Sequence, residues 1–137
     1  MTAKHSFNTN ALFEDVSYDR NADSWNFLFA NGTSFNVSAF WRLLHGNEIS
    51  LVSLDNGHKF VYDTPINIAD YAKELLKGHS LTKIEVTEGT GDLILTLTNT
   101  LYIQVFISST GYESYDFTIE DERYIGMGAG EIAIFPK

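Results

Sequence analysis

The chain has no cysteine, only two prolines, and half as many basic residues as acidic ones: nine Lys and Arg against eighteen Asp and Glu. Without cysteine there is no disulfide, no thiolate zinc site and no cysteine nucleophile, so a reducing compartment is compatible with the fold. The formal charge of -9 and a pI near 4.7 disfavour a nucleic-acid binder that works by neutralising phosphates. Met1-Thr2-Ala3-Lys4-His5-Ser6-Phe7 has no apolar leader core, and no stretch approaches the roughly 20 apolar residues of a membrane span. The expectation is a soluble, cytoplasmic protein with no membrane partner. What is present is a 44% hydrophobic, aromatic-rich chain of 137 residues, the size of one ordinary domain spanning 1–137.

Short apolar segments separated by turn chemistry predict strands through most of the chain. Leu12 to Tyr18 and Trp25 to Phe29 come first, then Asn31-Gly32 and a return strand from Thr33 to Ala39. Asn-Gly is a strong hairpin signal, because both central residues of a type I′ turn need positive φ. Phe40 to Leu44, Ile49 to Leu54 and His58 to Tyr62 read as further strands. Pro65 to Lys77 then switches period: Ile68, Tyr71, Ala72, Leu75 and Leu76 share one helical face, Thr64 or Asn67 can cap the start, and Gly78 can stop the end. This predicts a helix over about 67–77. Strands resume at Leu81 to Val86, Asp92 to Leu97, Leu101 to Ser108 and Tyr115 to Ile119, with a last pair between Arg123 and Phe135. Leu93 to Phe106 alternates least and reads as the centre of the sheet, buried on both faces.

The order strands, helix, strands predicts an α+β domain with a mostly antiparallel, strongly curved sheet. Aligning Asn31 on Asn99 superposes Phe27-Leu28-Phe29 on Leu95-Thr96-Leu97 and Phe35-Asn36-Val37 on Ile103-Gln104-Val105. That echo predicts two hairpins of the same register.

No arrangement of residues announces a reaction. His5, His45, His58 and His79 form no ligand-spaced pair, so no metal is expected. Ser108-Ser109-Thr110-Gly111 reads as a polar turn rather than a nucleophile site. Gly126-Met127-Gly128-Ala129-Gly130 reads as a bulge or hairpin between the last two strands, because Glu131 and a strand follow it where a phosphate loop needs a helix N-terminus. No cofactor is implied. The most informative feature is charge: from Ile84 through Glu122 there are eight carboxylates and no Lys or Arg. This is either a solvated acidic face or a docking surface for a basic partner, with Glu113, Tyr115, Asp116, Glu120, Asp121 and Glu122 as the candidate binding residues.

Trp41-Arg42-Leu43-Leu44, Asp55-Asn56-Gly57-His58-Lys59-Phe60, Gly91-Asp92-Leu93, Leu101-Tyr102-Ile103-Gln104-Val105-Phe106 and Ser108-Ser109-Thr110-Gly111-Tyr112-Glu113-Ser114-Tyr115 resemble small bacterial immunity proteins, including those of contact-dependent growth inhibition systems. The resemblance implies a non-enzymatic inhibitor that occludes the active site of a toxin domain similar to EndoU-type nucleases. It also implies a Whirly-like fold built from a pseudo-repeat. The Lys-Gly-Lys motif through which Whirly proteins bind nucleic acid is absent, so no direct nucleic-acid binding is expected. The competing reading is a small-ligand-binding protein or an enzyme of unknown reaction, with its cleft between sheet and helix. Neither reading fixes an oligomeric state.

Overall fold

The computed structural model describes residues 3–60, 63–119, 122–126 and 132–136. Five strands come first: β1 (Ala3–Asp19), β2 (Ser24–Phe29), β3 (Ser34–Val37), β4 (Phe40–His45) and β5 (Glu48–Val52). A 3-10 turn at Ser53–Asp55 and the helix α1 (Ile68–Leu76) follow. The remaining strands are β6 (Ser80–Thr87), β7 (Leu93–Leu97), β8 (Leu101–Phe106), β9 (Tyr115–Ile119), β10 (Glu122–Gly126) and β11 (Ile132–Pro136). They form one open sheet in the order β11-β10-β9-β3-β2-β1-β6-β7-β8-β4-β5. Every neighbouring pair is antiparallel. The fold is therefore mostly antiparallel sheet with one helix. No helix among the described residues is long and apolar enough to cross a membrane.

The long strand β1 divides the sheet into two arms. Its residues Ala3 to Leu12 pair with β6, and Phe13 to Asp19 pair with β2. In a flat sheet β2 and β4 would lie five strand spacings apart, roughly 24 Å. Yet the Trp41 ring of β4 meets Trp25 and Phe27 of β2 edge-on, with centroids 5.0 and 5.1 Å apart. Phe7 of β1 likewise meets Tyr124 of β10 at 5.0 Å. The two arms thus face each other across one core, into which alternate residues of each strand point.

The echo seen in the sequence is a register identity in the structure. Phe13↔Phe29, Val16↔Phe27, Tyr18↔Trp25 and Phe27↔Phe35 in β1-β2-β3 become Leu81↔Leu97, Ile84↔Leu95, Val86↔Leu93 and Leu95↔Ile103 in β6-β7-β8. Even the irregularity between Phe13 and Asp15 recurs between Leu81 and Lys83. The following hairpins are exchanged: β4-β5 adds to β8, while β9-β10 adds to β3. From β10 to β5 the strand order therefore reads the same from both ends under a pseudo-two-fold between β1 and β6.

Both hairpin turns need left-handed backbone. Asn31 and Gly32 have φ of 63° and 73°, and Asn99 and Thr100 have 60° and 58°. Asparagine and glycine enter that region readily, whereas β-branched threonine is strained there. Thr100→Gly is expected to stabilise the fold by about 0.5–1 kcal/mol, raising the thermal midpoint by about 2–4 °C. A lower midpoint in a thermal melt would show instead that the Thr100 hydroxyl bond to the Asn99 carbonyl, 2.7 Å, outweighs the strain.

Four sequence expectations are corrected. The strand expected over His58 to Tyr62 is absent at His58 to Phe60: Gly57 and Ile66 close this segment as a loop, Gly57 N donating to Ile66 O and Ile66 N to His58 O, each at 2.8 Å. Val61 and Tyr62 lie outside the described residues. The buried face of α1 is Ile68, Ala69, Ala72 and Leu76, with Tyr71 54% and Leu75 38% exposed. Two alanines turned inward let the helix backbone approach the sheet, and Lys73 reaches Asp15 of β1 at 3.4 Å. Asn67 caps the start by accepting from Asp70 N at 3.1 Å, and Asn56 Oδ1 accepts from Ile68 N at 2.9 Å. The sheet centre is β1 rather than Leu93 to Phe106, whose strands β7 and β8 bury only one face. Finally, β1 begins at Ala3, not Leu12.

Candidate functional site

Of the six expected binding residues the structure describes four, Glu113, Tyr115, Asp116 and Glu122, and these four do not lie on one face. Glu113 is exposed in the segment between β8 and β9, and Asp116 points outward from β9 beside Arg123 at 3.4 Å. Glu122 is exposed at the start of β10 and accepts a hydrogen bond from the Tyr124 hydroxyl. Glu120 and Asp121 lie outside the described residues, as do Met127 to Glu131 of the glycine-rich stretch. Its flanking strands β10 and β11 pair antiparallel. Tyr115 is corrected outright: its ring is 3% exposed in the core, and its hydroxyl donates to the Gly91 carbonyl at 2.8 Å. It holds the β6-β7 turn and is no surface anchor.

The dispersal has a simple cause. Between Ile84 and Glu122 the chain runs from one arm to the other, and alternation sends successive side chains to opposite faces. Glu85 is held near Lys83 at 3.8 Å on the β6 arm, and Asp92 accepts from Ile107 N at 2.8 Å, fixing the exit from β8.

What does assemble is a polar outer face on the β2 arm. Register places Ser17, Asn26, Asn36 and Asp116 side by side across β1, β2, β3 and β9, all turned away from the core. The next row carries Asp15, Leu28, Ser34 and Thr118. The Oδ1 of Asn36 is shielded from solvent by its neighbours and accepts no hydrogen bond. A shielded acceptor without a donor is costly, and Asn36 bears that cost beneath the surface of the sheet. The two carboxylates of this face, Asp15 and Asp116, each lie 3.4 Å from a cation of the chain itself, Lys73 and Arg123. Sequence reasoning passed over Asn26 and Asn36, although each stands as the polar residue between two aromatic or aliphatic ones, in Trp25-Asn26-Phe27 and Phe35-Asn36-Val37.

Two clefts flank the helix side of the molecule. One of about 510 Å³ lies between α1 and β1, lined by Val16, Tyr18, Asn56, Ile66, Asn67 and Lys73 among others. Another of about 490 Å³ opens under Tyr18, Trp25, Phe40 and Leu54. The Tyr18 ring lies on Trp25 at 4.6 Å, and its hydroxyl donates to Asp23 at 2.7 Å, a bond that raises its pKa. No group of three His, Asp or Glu residues converges among the described residues to hold a metal.

Two tyrosines at the β9-β10 end are kept protonated. Burial, with a smaller effect of the Asp92 charge, raises the Tyr115 phenol well above its usual value. Burial and the bond to Glu122 push Tyr124 up to about 12. A phenol whose pKa is raised by folding loses its stabilising effect once the unfolded chain ionises first. Stability is therefore full below about pH 10 and falls as pH climbs towards the folded values. Urea titrations at stepped alkaline pH should show that slope, and Tyr115→Phe should reduce it; a flat profile would contradict these environments.

Comparison with models of known families, with curated proteins and with solved structures finds no match.

Proposed function

We propose that this chain is an immunity protein that neutralises a toxin domain, a basic nuclease, by covering its active site with the polar outer face of the β2 arm. The observation that carries the reading is the outward row Ser17-Asn26-Asn36-Asp116, polar across four adjacent strands, on a chain of net charge -9. A nuclease site built to bind phosphates is rich in Lys and Arg, and this face presents the oxygens such groups would otherwise take from nucleic acid. The resemblance to contact-dependent growth inhibition immunity proteins supports the same reading, with the toxin of the EndoU type and the protein acting in the cytoplasm as a binder rather than an enzyme. A strongly curved, Whirly-like sheet belongs to this proposal. It is supported by the contact of Trp41 with Trp25 across the core and by the register-matched halves.

The test replaces Asp116 and Asn36 together by lysine and measures association with the toxin domain encoded beside the gene. Binding at least about tenfold weaker, mostly through slower association, is the expected result. Binding unchanged in rate and affinity, with the fold intact by near-UV circular dichroism, would remove the β2-arm face from the account.

A further inference from the structure

The pseudo-two-fold makes the two arms controls for one another, and they differ at the end where β1 turns into β2. The turn Arg20-Asn21-Ala22-Asp23 corresponds to Glu88-Gly89-Thr90-Gly91 between β6 and β7. Asp23 has φ of 49° and its counterpart Gly91 has 77°, so the backbone is left-handed at both places and glycine meets the need of the fold. The β2 arm nevertheless holds a carboxylate there. Tyr18 and Trp25 likewise stand where the β6 arm has Val86 and Leu93, and Ala39 stands where it has Ile107. The register thus accepts aliphatic residues, and the backbone alone does not call for an aromatic pair beside an aspartate in left-handed conformation.

These residues meet in the cleft of about 490 Å³, within the size range of small-molecule sites. Tyr18, Trp25, Phe40 and Leu54 give it an apolar lining, Ser53 and Asn56 a polar one. The polar groups are held in place. Buried Ser53 accepts the Trp41 N–H at 3.0 Å, Asn56 Oδ1 accepts from Ile68 N at 2.9 Å, and the Tyr18 hydroxyl ties Asp23 at 2.7 Å. Asp23 is the one charged residue of the lining, and it forms no ion pair among the described residues. Arg20, in the same turn, is exposed and does not line the cleft. The equivalent end of the β6 arm also opens a cleft, of about 740 Å³, but Phe106 is the only aromatic in its lining. Its carboxylate, Asp92, is already taken by the Ile107 N–H at 2.8 Å.

We infer that the cleft under Tyr18, Trp25 and Phe40 is a binding site for a small organic ammonium ion that carries an apolar substituent. The substituent lies against the aromatic and leucine side chains, and the ammonium group meets the Asp23 carboxylate, with cation–π attraction from the rings. A carboxylate or phosphate ligand would find no counter-charge in this lining. The inference stands apart from the toxin reading: Tyr18 and Trp25 turn inward, whereas their neighbours Ser17 and Asn26 belong to the outer row.

Titration of the full chain with phenethylammonium, followed by tryptophan fluorescence, tests it. Phenethyl alcohol is the uncharged comparator of the same shape, and hydrocinnamate the anionic one. The expected result is a saturable change with a Kd of about 0.1–1 mM for the amine, and binding at least about tenfold weaker for the alcohol and the carboxylate. Asp23→Asn should weaken the amine at least about tenfold and leave the alcohol unchanged. Asp23→Gly, which the counterpart Gly91 shows the turn to accept, should do the same. No saturable change up to about 10 mM amine overturns the proposal. So does equal binding of the alcohol, or amine binding that survives both Asp23 variants.

Discussion

Trp41→Ala is expected to lower the unfolding free energy by about 3–5 kcal/mol. Trp41 has no exposed surface and, from β4, fills the space between the arms, with Trp25 and Phe27 edge-on against it at 5.0 and 5.1 Å. Alanine would leave a cavity where the arms meet, and the surrounding rings can close it only by moving whole strands. The indole also carries a cost: its Nε1 is buried and donates to nothing. Trp41→Phe, which removes that donor along with part of the volume, should therefore cost only about 1–2 kcal/mol. Urea unfolding that gave Trp41→Ala and Trp41→Phe the same midpoint would mean that the aromatic contact between arms contributes little.

Gly126→Ala is expected to cost about 2–3 kcal/mol, large for the addition of one methyl group. Gly126 lies opposite Tyr115 in the β9-β10 ladder, and the tyrosine ring occupies the space above it. A β-carbon there would fall inside that ring, 2.5 Å from Cζ. The ring would have to swing away, and the hydroxyl would lose the Gly91 carbonyl that it bonds at 2.8 Å. An aromatic covering a strand glycine is a known way of closing such a gap. If this account holds, Gly126→Ala and Tyr115→Ala should be strongly non-additive, with a coupling of about 1 kcal/mol or more. A Gly126→Ala midpoint within error of wild type would contradict it.

These two sites also show where the sequence was readable. The Asn31-Gly32 hairpin and the Asn67-capped helix were legible because local chemistry decides them: left-handed φ in one, a side-chain oxygen for a free N–H in the other. The register echo was legible because both hairpins alternate in phase. The first residues of β1 were not, since between Ala3 and Ala11 only Phe7 is a large apolar residue, and the strand is specified by pairing to β6. The burial of Tyr115 was hidden for a similar reason. A tyrosine among acidic residues looks like a surface anchor until the cross-strand glycine that receives its ring is known. The helix face was off by a fraction of a turn, because Ala69 counted for little as a hydrophobe while its small size is what lets α1 approach β1.

For the site, the sequence displays its charge but not the placement of its polar residues. The base-free stretch drew attention to residues 84–122, whereas the polar outer face of the β2 arm draws on Ser17, Asn26 and Asn36, far from that stretch in sequence. Only the exchange of hairpins, which brings β9 beside β3, puts Asp116 in line with them.

The most direct measurement is calorimetric titration of this protein with the toxin domain encoded beside its gene, at low and moderate salt, with a ribonuclease assay on the same mixtures. The account predicts tight one-to-one binding per chain that weakens as salt rises and silences the nuclease. Absence of heat together with undiminished nuclease activity would contradict it.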